Sequence, residues 1–153
     1  MDQNPTLLSV KHLQTGFHSD RGYFPAIKGI SFSIQRGESL GMVGESGSGK
    51  SLTALSLLRL TDHLPGCVMK AEGILYTPEN REPLDLSTLD RTALRKIRGK
   101  EIGLIFQDPS ASLNPVFTCG DQLVEVLRLH MGLDRSSARD AAMGWLEKVQ
   151  LTD

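Results

Sequence analysis

The stretch Gly44-Glu45-Ser46-Gly47-Ser48-Gly49-Lys50-Ser51 decides the fold of this 153-residue chain. It fits the pattern G-x-x-x-x-G-K-[ST] without a mismatch. An apolar segment, Leu40–Val43, precedes the loop, and an apolar helix pattern that begins at Leu52 follows it. Glycines let backbone N–H groups approach an anion, and the following helix adds the positive end of its dipole. The sequence therefore predicts a phosphate-binding loop between a strand and a helix.

All eight residues of this loop are candidate nucleotide-binding residues. Lys50 is expected to contact the β- and γ-phosphates, and Ser51 is expected to supply a hydroxyl ligand for Mg²⁺. Lys50 is therefore a candidate catalytic residue and Ser51 a candidate metal ligand. The alternative, a flexible Gly/Ser loop, would not need Lys50 and Ser51 to open an apolar helix.

The rest of the pattern predicts an α/β fold with an antiparallel β portion at its front. The leucines after the loop lie nearly all round their helix, which is expected to be central and buried. A turn is predicted at Ser19–Gly22, and a short basic helix at Leu94–Arg98. Strands are predicted at Leu7–Phe17, Ile30–Ile34, Leu40–Val43, Ile74–Tyr76 and Ile102–Phe106.

The chain is expected to be helical from about Asp121 onward, as the beginning of a helical subdomain. Asp134, Ser136 or Ser137 could cap a helix there. One apolar face of that helix is predicted from the spacing of Ala138, Ala141, Ala142, Trp145, Leu146 and Val149, and core packing is the expected role of this face.

The composition is that of an ordinary globular protein, with 39% hydrophobic and 23% charged residues. A net charge of -1 gives no bulk electrostatic reason to expect a nucleic-acid partner. No apolar run approaches the roughly 20 residues needed to cross a bilayer, and Met1–Pro5 lacks the pattern of a secretory signal. Cys67 and Cys119 are expected to be reduced thiols, and the four histidines are not spaced as metal ligands.

Three segments together resemble an ATP-binding cassette: Arg36-Gly37-Glu38, the loop Gly44–Ser51, and Phe106-Gln107-Asp108-Pro109. In that family, a glutamine at this position contributes to Mg²⁺ and water near the γ-phosphate, and its loop faces the membrane subunits. The resemblance thus implies ATP and Mg²⁺ as cofactors, with Gln107 as a catalytic and metal-binding residue. By its residue type alone, Gln107 is a polar residue at a strand end, where α/β proteins collect ligand contacts, or a simple loop glutamine.

The segment Gln107–Pro115 and the Leu-Thr-Ala-Leu after Ser51 narrow this resemblance. They are similar to ATPases of the dipeptide/oligopeptide/nickel importer group, and the similarity covers essentially the whole chain. It implies an ATPase subunit at the cytoplasmic face of the membrane that drives import of a solute, expected to be a peptide. The implied partners are two permease subunits, a second ATPase subunit and, indirectly, an extracytoplasmic solute-binding protein.

The family also stacks adenine on an aromatic residue near the first strands. Phe17 and Tyr23 are both candidates, because stacking does not depend on which aromatic residue provides the ring face. Either residue could equally have an ordinary packing role.

The resemblance implies that residues 1-153 form part of a nucleotide-binding domain. The P-loop core and β subdomain are expected over about 1-109, and the glutamine loop and the start of the helical subdomain over about 110-153. The Leu-Ser-Gly-Gly signature, the acidic strand and the switch histidine are expected beyond residue 153, so the chain alone is expected to be inactive. Two alternatives are a small P-loop kinase and a non-catalytic remnant that docks on a permease through Gln107–Pro115.

Overall fold

A computed structural model of the chain describes residues 5–108 and 112–151. The chain forms two compact units, Met1–Glu101 and Ile102–Asp153. The first contains the phosphate-binding loop, and the second contains Gln107 and two helices.

The first unit is built on an antiparallel sheet centred on its long first strand. The first two strands form a hairpin whose turn follows Ser19, as predicted. The first strand pairs with the fourth along Leu8–Lys11 and with the third along Gln14–Phe17. The predicted antiparallel β portion is thereby confirmed. The strands are β1 (Thr6–Ser19), β2 (Gly22–Gln35), β3 (Cys67–Lys70), β4 (Gly73–Tyr76) and β5 (Leu84–Asp85).

Three helical segments accompany this sheet. Helix α1 spans Lys50–Leu57, a short 3-10 helix spans Leu60–His63, and helix α2 spans Arg91–Ile97. Helix α2 matches the predicted basic helix and begins at Asp90, whose side chain accepts hydrogen bonds from two backbone N–H groups. The fully buried side chains that form the core are Val10, Leu13, Ile74, Leu86 and Leu94.

Two predicted strands are wrong. Leu40–Val43 and Ile102–Phe106 form no regular strand, and Ile102 makes only an isolated bridge. Val43 is 98% exposed and Ile105 is 94% exposed. An apolar run becomes a buried strand only when neighbouring strands satisfy its backbone groups, and neither segment has such neighbours among the described residues. The expectation that α1 is buried all round is also wrong, since its fully buried residues are Thr53 and Ser56.

The described residues of the second unit include two α-helices, in agreement with the prediction that the chain is helical from about Asp121 onward. Helix α3 spans Cys119–Met131, and helix α4 spans Arg135–Lys148. Asp134 caps α4, in agreement with one of the three predicted caps. The buried contact joins Leu127 of α3 to Ala138 and Ala142 of α4.

The apolar face predicted for α4 is buried only in part. Ala138 and Ala142 are buried, whereas Trp145 is 44% exposed and Val149 is 64% exposed. Leu127 of α3 packs against these two small side chains, and the far end of the stripe is the more exposed part. Packing along this face is therefore confirmed at Ala138 and Ala142, against which Ala141 also packs.

Candidate nucleotide-binding site

The glycine-rich loop takes its shape from two left-handed residues. Gly47 has φ of +79° and Gly49 has φ of +94°, and they flank Ser48. Glycine adopts this conformation without steric cost, whereas other residues rarely do. When residues in the left-handed conformation alternate with residues in the right-handed one, successive backbone N–H groups point towards one concave side. An anion can bind there. The positive φ values of Gly47 and Gly49 are those that such a loop needs.

Gly44 lies close to the Ser48 side chain inside the loop. A Cβ atom at Gly44 would lie 2.6 Å from Ser48 Oγ, well below an ordinary contact distance. The N–H of Ser48 donates to the carbonyl oxygen of Glu45 at 3.2 Å, which closes the turn. A side chain at Gly44 would therefore force the Ser48 hydroxyl to rotate away from its present position.

The ammonium group of Lys50 is already held against this loop. Its Nζ donates to the carbonyl oxygens of Gly44 and Glu45, each at 2.7 Å, and lies 3.4 Å from Ser48 Oγ. A long, flexible side chain is thereby fixed in one place beside the glycine turn. An anion that enters the loop therefore meets a positive charge on a side chain that is already ordered. Less side-chain conformational entropy is then lost when the anion binds.

The start of helix α1 adds unpaired backbone donors to the same place. Gly49 is the N-cap and offers no side-chain acceptor, and the first turn contains no acidic residue. The N–H of Thr53 and its hydroxyl both donate to the carbonyl oxygen of Gly49, at 2.8 and 2.9 Å. The first amides of a helix have no partner within the helix, so they remain available to an external anion.

A groove of about 630 Å³ runs from this loop along strand β2. Its walls combine apolar side chains of β2 with backbone of the loop, and Lys28 adds a second cation. Such a groove can accept a ligand that carries phosphates at one end and an apolar ring at the other. The lining residues are Ala26, Ile27, Lys28, Ile30, Phe32, Leu40–Gly44, Ser48–Lys50 and Thr53.

The two candidate aromatic residues lie in the β1–β2 hairpin, outside the lining of this groove. Phe17 pairs with Phe24 and Tyr23 pairs with His18, so that Phe17 and Tyr23 point to opposite faces of the hairpin. The Tyr23 ring is tilted against the His18 ring with 5.1 Å between their centroids. The structure does not bring the two aromatics together, and an adenine-stacking role for either stays a prediction.

The two candidate metal ligands lie in different units. Ser51 is exposed in the first turn of α1, and Gln107 is exposed in a bend of the second unit. A hydroxyl and an amide oxygen are hard donors of the kind that Mg²⁺ prefers, so the donor types fit the ion. Within residues 5–108 and 112–151, no group of three His, Cys, Asp or Glu side chains could hold a metal. Residues 109–111 of the glutamine-loop segment lie outside the described part.

Sequence reasoning missed the hydroxyl side chains that fix α1. Thr53, Ser56 and Thr15 are all buried, with 3%, 0% and 0% exposure. In the sequence pattern, Thr15 in a strand and Ser56 among the leucines of a helix are each typical of a solvent-exposed face. The available signal was the pair of hydroxyl residues at Thr53 and Ser56, which share one side of the helix.

The amino-acid sequence of the chain also matches a known protein family. Residues 27–153 match the ABC transporter family. The chain belongs to that family. The resemblance inferred from the loop and from Gln107 is thereby confirmed, as is the fold class, an α/β P-loop NTPase domain.

Two relatives illustrate the similarity within the ABC transporter family. Glutathione import ATP-binding protein GsiA of Escherichia coli (strain K12) is 42% identical over 147 residues, which cover 96% of this chain and 23% of the relative. The protein of the same name from Shigella dysenteriae serotype 1 (strain Sd197) gives the same identity and coverage. The chain thus spans about a quarter of the length of these curated relatives. In the described part, no helix is long and apolar enough to cross a membrane.

Proposed function

We propose that this chain is the nucleotide-binding part of an ATPase subunit that drives solute import through an ABC transporter, with ATP and Mg²⁺ as its ligands. One observation carries the proposal: Lys50 Nζ is fixed 2.7 Å from the carbonyl oxygens of Gly44 and Glu45, beside the open amides of α1. Loop, cation and helix start present one positive concave surface to a phosphate chain.

The proposed division of roles follows from the chemistry of each group. The backbone of Gly44–Ser51 holds the phosphates, and Lys50 neutralises charge on the β- and γ-phosphates. Ser51 and Gln107 supply oxygen ligands to Mg²⁺, and Gln107 orients water near the γ-phosphate. Phe17 or Tyr23 stacks on adenine.

The solute and the partners are proposed from the relatives. Their names specify glutathione import, so a peptide or a peptide-like solute is the proposed cargo. Two permease subunits, a second ATPase subunit and, indirectly, an extracytoplasmic solute-binding protein are the proposed partners. The subunit would work at the cytoplasmic face of the membrane as a peripheral protein.

Family membership bears differently on the two alternative functions, a small P-loop kinase and a non-catalytic docking protein. Membership of the ABC transporter family leaves the small-kinase hypothesis without support. A non-catalytic protein that docks on a permease would share the fold and the family. ATP hydrolysis is the property that distinguishes it from an ATPase subunit.

Nucleotide binding is tested with the substitution Lys50→Ala. We expect MgATP, followed by phosphorus NMR, to bind the wild-type chain weakly and the variant at least about tenfold more weakly, because the variant loses the cation fixed beside the loop. Lys70→Ala is the matched control, since Lys70 is an exposed lysine of β3 that does not line the groove beside the loop. Equal affinity of wild type and Lys50→Ala would contradict the proposed phosphate site.

Turnover is tested separately. We expect no steady phosphate release from the 153-residue chain alone, because its sequence contains no acidic strand to supply a general base. Steady phosphate release that Lys50→Ala abolishes would overturn this expectation. ATP turnover that appears with the proposed partners present and is abolished by Lys50→Ala would exclude the docking-only alternative.

A further inference from the structure

Helix α1 is fixed to the sheet by very little buried surface. It has eight residues, and the two that are buried, Thr53 and Ser56, both carry hydroxyl groups. Its apolar residues, such as Leu55 and Leu57, are only half-buried. Short helices depend on tertiary contacts for their stability, so the few contacts of α1 have a large share in its placement.

One hydrogen bond joins this helix to the sheet within the described residues. Thr15 Oγ1 of strand β1 lies 2.9 Å from Ser56 Oγ. Ser56 Oγ also donates to the carbonyl oxygen of Leu52 at 2.7 Å. A serine hydroxyl has a single proton, so Ser56 accepts from Thr15, and Thr15 is the donor.

This hydrogen bond lies in a dry environment. Thr15 and Ser56 are each 0% exposed, so water cannot replace either partner. A buried hydrogen bond is more directional and more costly to break than one at the surface. On the sheet side, Thr15 is paired with Ile27 of β2, which lines the groove beside the loop.

We propose that Thr15 and Ser56 are positioning residues for phosphate binding: their hydrogen bond sets the direction in which the first amides of α1 and Lys50 face the anion. The inference rests on the proposed nucleotide-binding function. An eight-residue helix is about 12 Å long and turns as a rigid body. Loss of the Thr15–Ser56 hydrogen bond near the C-terminal end of α1 therefore changes the direction in which the N-terminal end points. Neither Thr15 nor Ser56 needs to touch the ligand for this effect.

The rival explanation is that Thr15 only fills space. The two explanations predict opposite rankings for two substitutions. Thr15→Val keeps the shape and removes the hydroxyl, whereas Thr15→Ser keeps the hydroxyl and removes a methyl group. A positioning role makes the valine variant the weaker phosphate binder, and a packing role makes the serine variant the weaker one.

The experiment measures the affinity of the full 153-residue chain for inorganic tripolyphosphate and for MgATP by phosphorus NMR. We expect Thr15→Val to bind both about fivefold more weakly than wild type, which corresponds to about 1 kcal/mol. Thr15→Ser should bind within about twofold of wild type. Thr61→Val is the matched control, because Thr61 is a threonine with 1% exposure that lies outside α1 and β1; its affinity should equal that of wild type.

Amide hydrogen exchange of α1 supplies the second readout. We expect faster exchange across Thr53–Leu57 in Thr15→Val and unchanged exchange in Thr15→Ser. If the valine variant fails to fold, Thr15→Ala takes its place, because the alanine and serine variants both lack the methyl group and differ only in the hydroxyl.

The outcomes separate this inference from the proposed function. A wild-type chain that binds neither phosphate ligand overturns the proposed function and, with it, the inference. A wild-type chain that binds, with the serine variant weaker than the valine variant or with both equal to wild type, overturns the inference alone.

Discussion

Arg98 caps the C-terminal end of helix α1, which follows the glycine-rich loop, through the carbonyl oxygen of Leu58. Its Nε and Nη2 donate to that oxygen at 2.8 and 2.5 Å. Leu58 is the C-cap residue of α1 and is 4% exposed. Burial lowers the pKa of the Arg98 guanidinium from its ordinary value, although the group stays charged. A cation at this end complements the negative end of the helix dipole, while the other end is left open for an anion.

Replacement of Arg98 tests this cap. Arg98→Lys keeps the charge but loses the two-donor fork, and we expect a loss of about 1 kcal/mol in the free energy of unfolding. Urea unfolding measures it. Arg95→Lys, at an exposed position of α2, is the control and should change stability by less than about 0.5 kcal/mol. Equal stability of both variants would show that the Arg98 fork does not stabilise the helix.

The hydroxyl pair between sheet and helix should respond asymmetrically to substitution. Ser56→Ala leaves the Thr15 donor buried without a partner, which we expect to cost about 1–3 kcal/mol. Thr15→Val leaves Ser56 still donating to Leu52, so it should cost less. The double variant should be more stable than Ser56→Ala alone, because the orphaned hydroxyl is gone. Additive losses in urea unfolding would argue against the bond between the two hydroxyls.

Gly16 allows the hairpin side chains to pack across β1. A Cβ at this position would lie 2.4 Å from Tyr23 Oη and 2.6 Å from the backbone oxygen of Phe24. We expect Gly16→Ala to cost about 1–3 kcal/mol, since a backbone atom cannot move aside cheaply. Gly144→Ala is the control, because a Cβ in that part of α4 meets nothing within 4 Å. That change should stabilise the chain by about 0.5–1 kcal/mol. Thermal melting that ranks the two variants the other way would refute this account.

Asp134 should make the stability of the second unit depend on pH. Hydrogen bonds from the Ser137 side chain and from backbone N–H groups lower the pKa of its carboxyl. A lowered folded-state pKa contributes stability above the unfolded value of about 3.9, and this contribution is lost as the pH falls through the folded value. We therefore expect the difference in melting temperature between wild type and Asp134→Asn to shrink from pH 7 towards pH 3.

The control for this pH series is Asp140→Asn, an equal charge change at an exposed position of the same helix. Its melting temperature should follow that of wild type more closely across the series. A constant offset between wild type and Asp134→Asn at all pH values would contradict the assigned role of the charge.

Gln122 holds the turn that precedes α3. Its Oε1 accepts from the Asn114 N–H at 2.9 Å, and its Nε2 donates to the carbonyl oxygens of Asn114 and Phe117 at 3.1 and 3.2 Å. We expect Gln122→Ala to speed hydrogen exchange at the Asn114 amide several-fold, because that amide loses its acceptor. Glu125→Ala, an exposed change on the same helix, should leave this exchange rate unaltered. Equal rates in the two variants would show that the Gln122 bonds do not protect the turn.

Local features of this chain were predictable because neighbouring residues alone specify them. Glycines at positions 44, 47 and 49 permit the loop, and Lys50 follows at a fixed distance along the backbone. The same holds for the turn after Ser19 and for the Asp134 cap, which bonds to residues two and three positions later. In each case the hydrogen bonds close within one turn of chain, so a short stretch of sequence carries all the partners.

Partners that are distant in sequence were decided by the tertiary structure. Thr15 meets Ser56 across 41 residues, and Arg98 meets Leu58 across 40. A periodic pattern says which face of an element is apolar, but not which element will cover that face. For the same reason Leu40–Val43 and Ile102–Phe106 have the sequence pattern of strands, yet form no regular strand in the described part. Thus the amino-acid sequence alone determined the turn of the glycine-rich loop, and the packing of sheet against helix decided what holds the following helix in place.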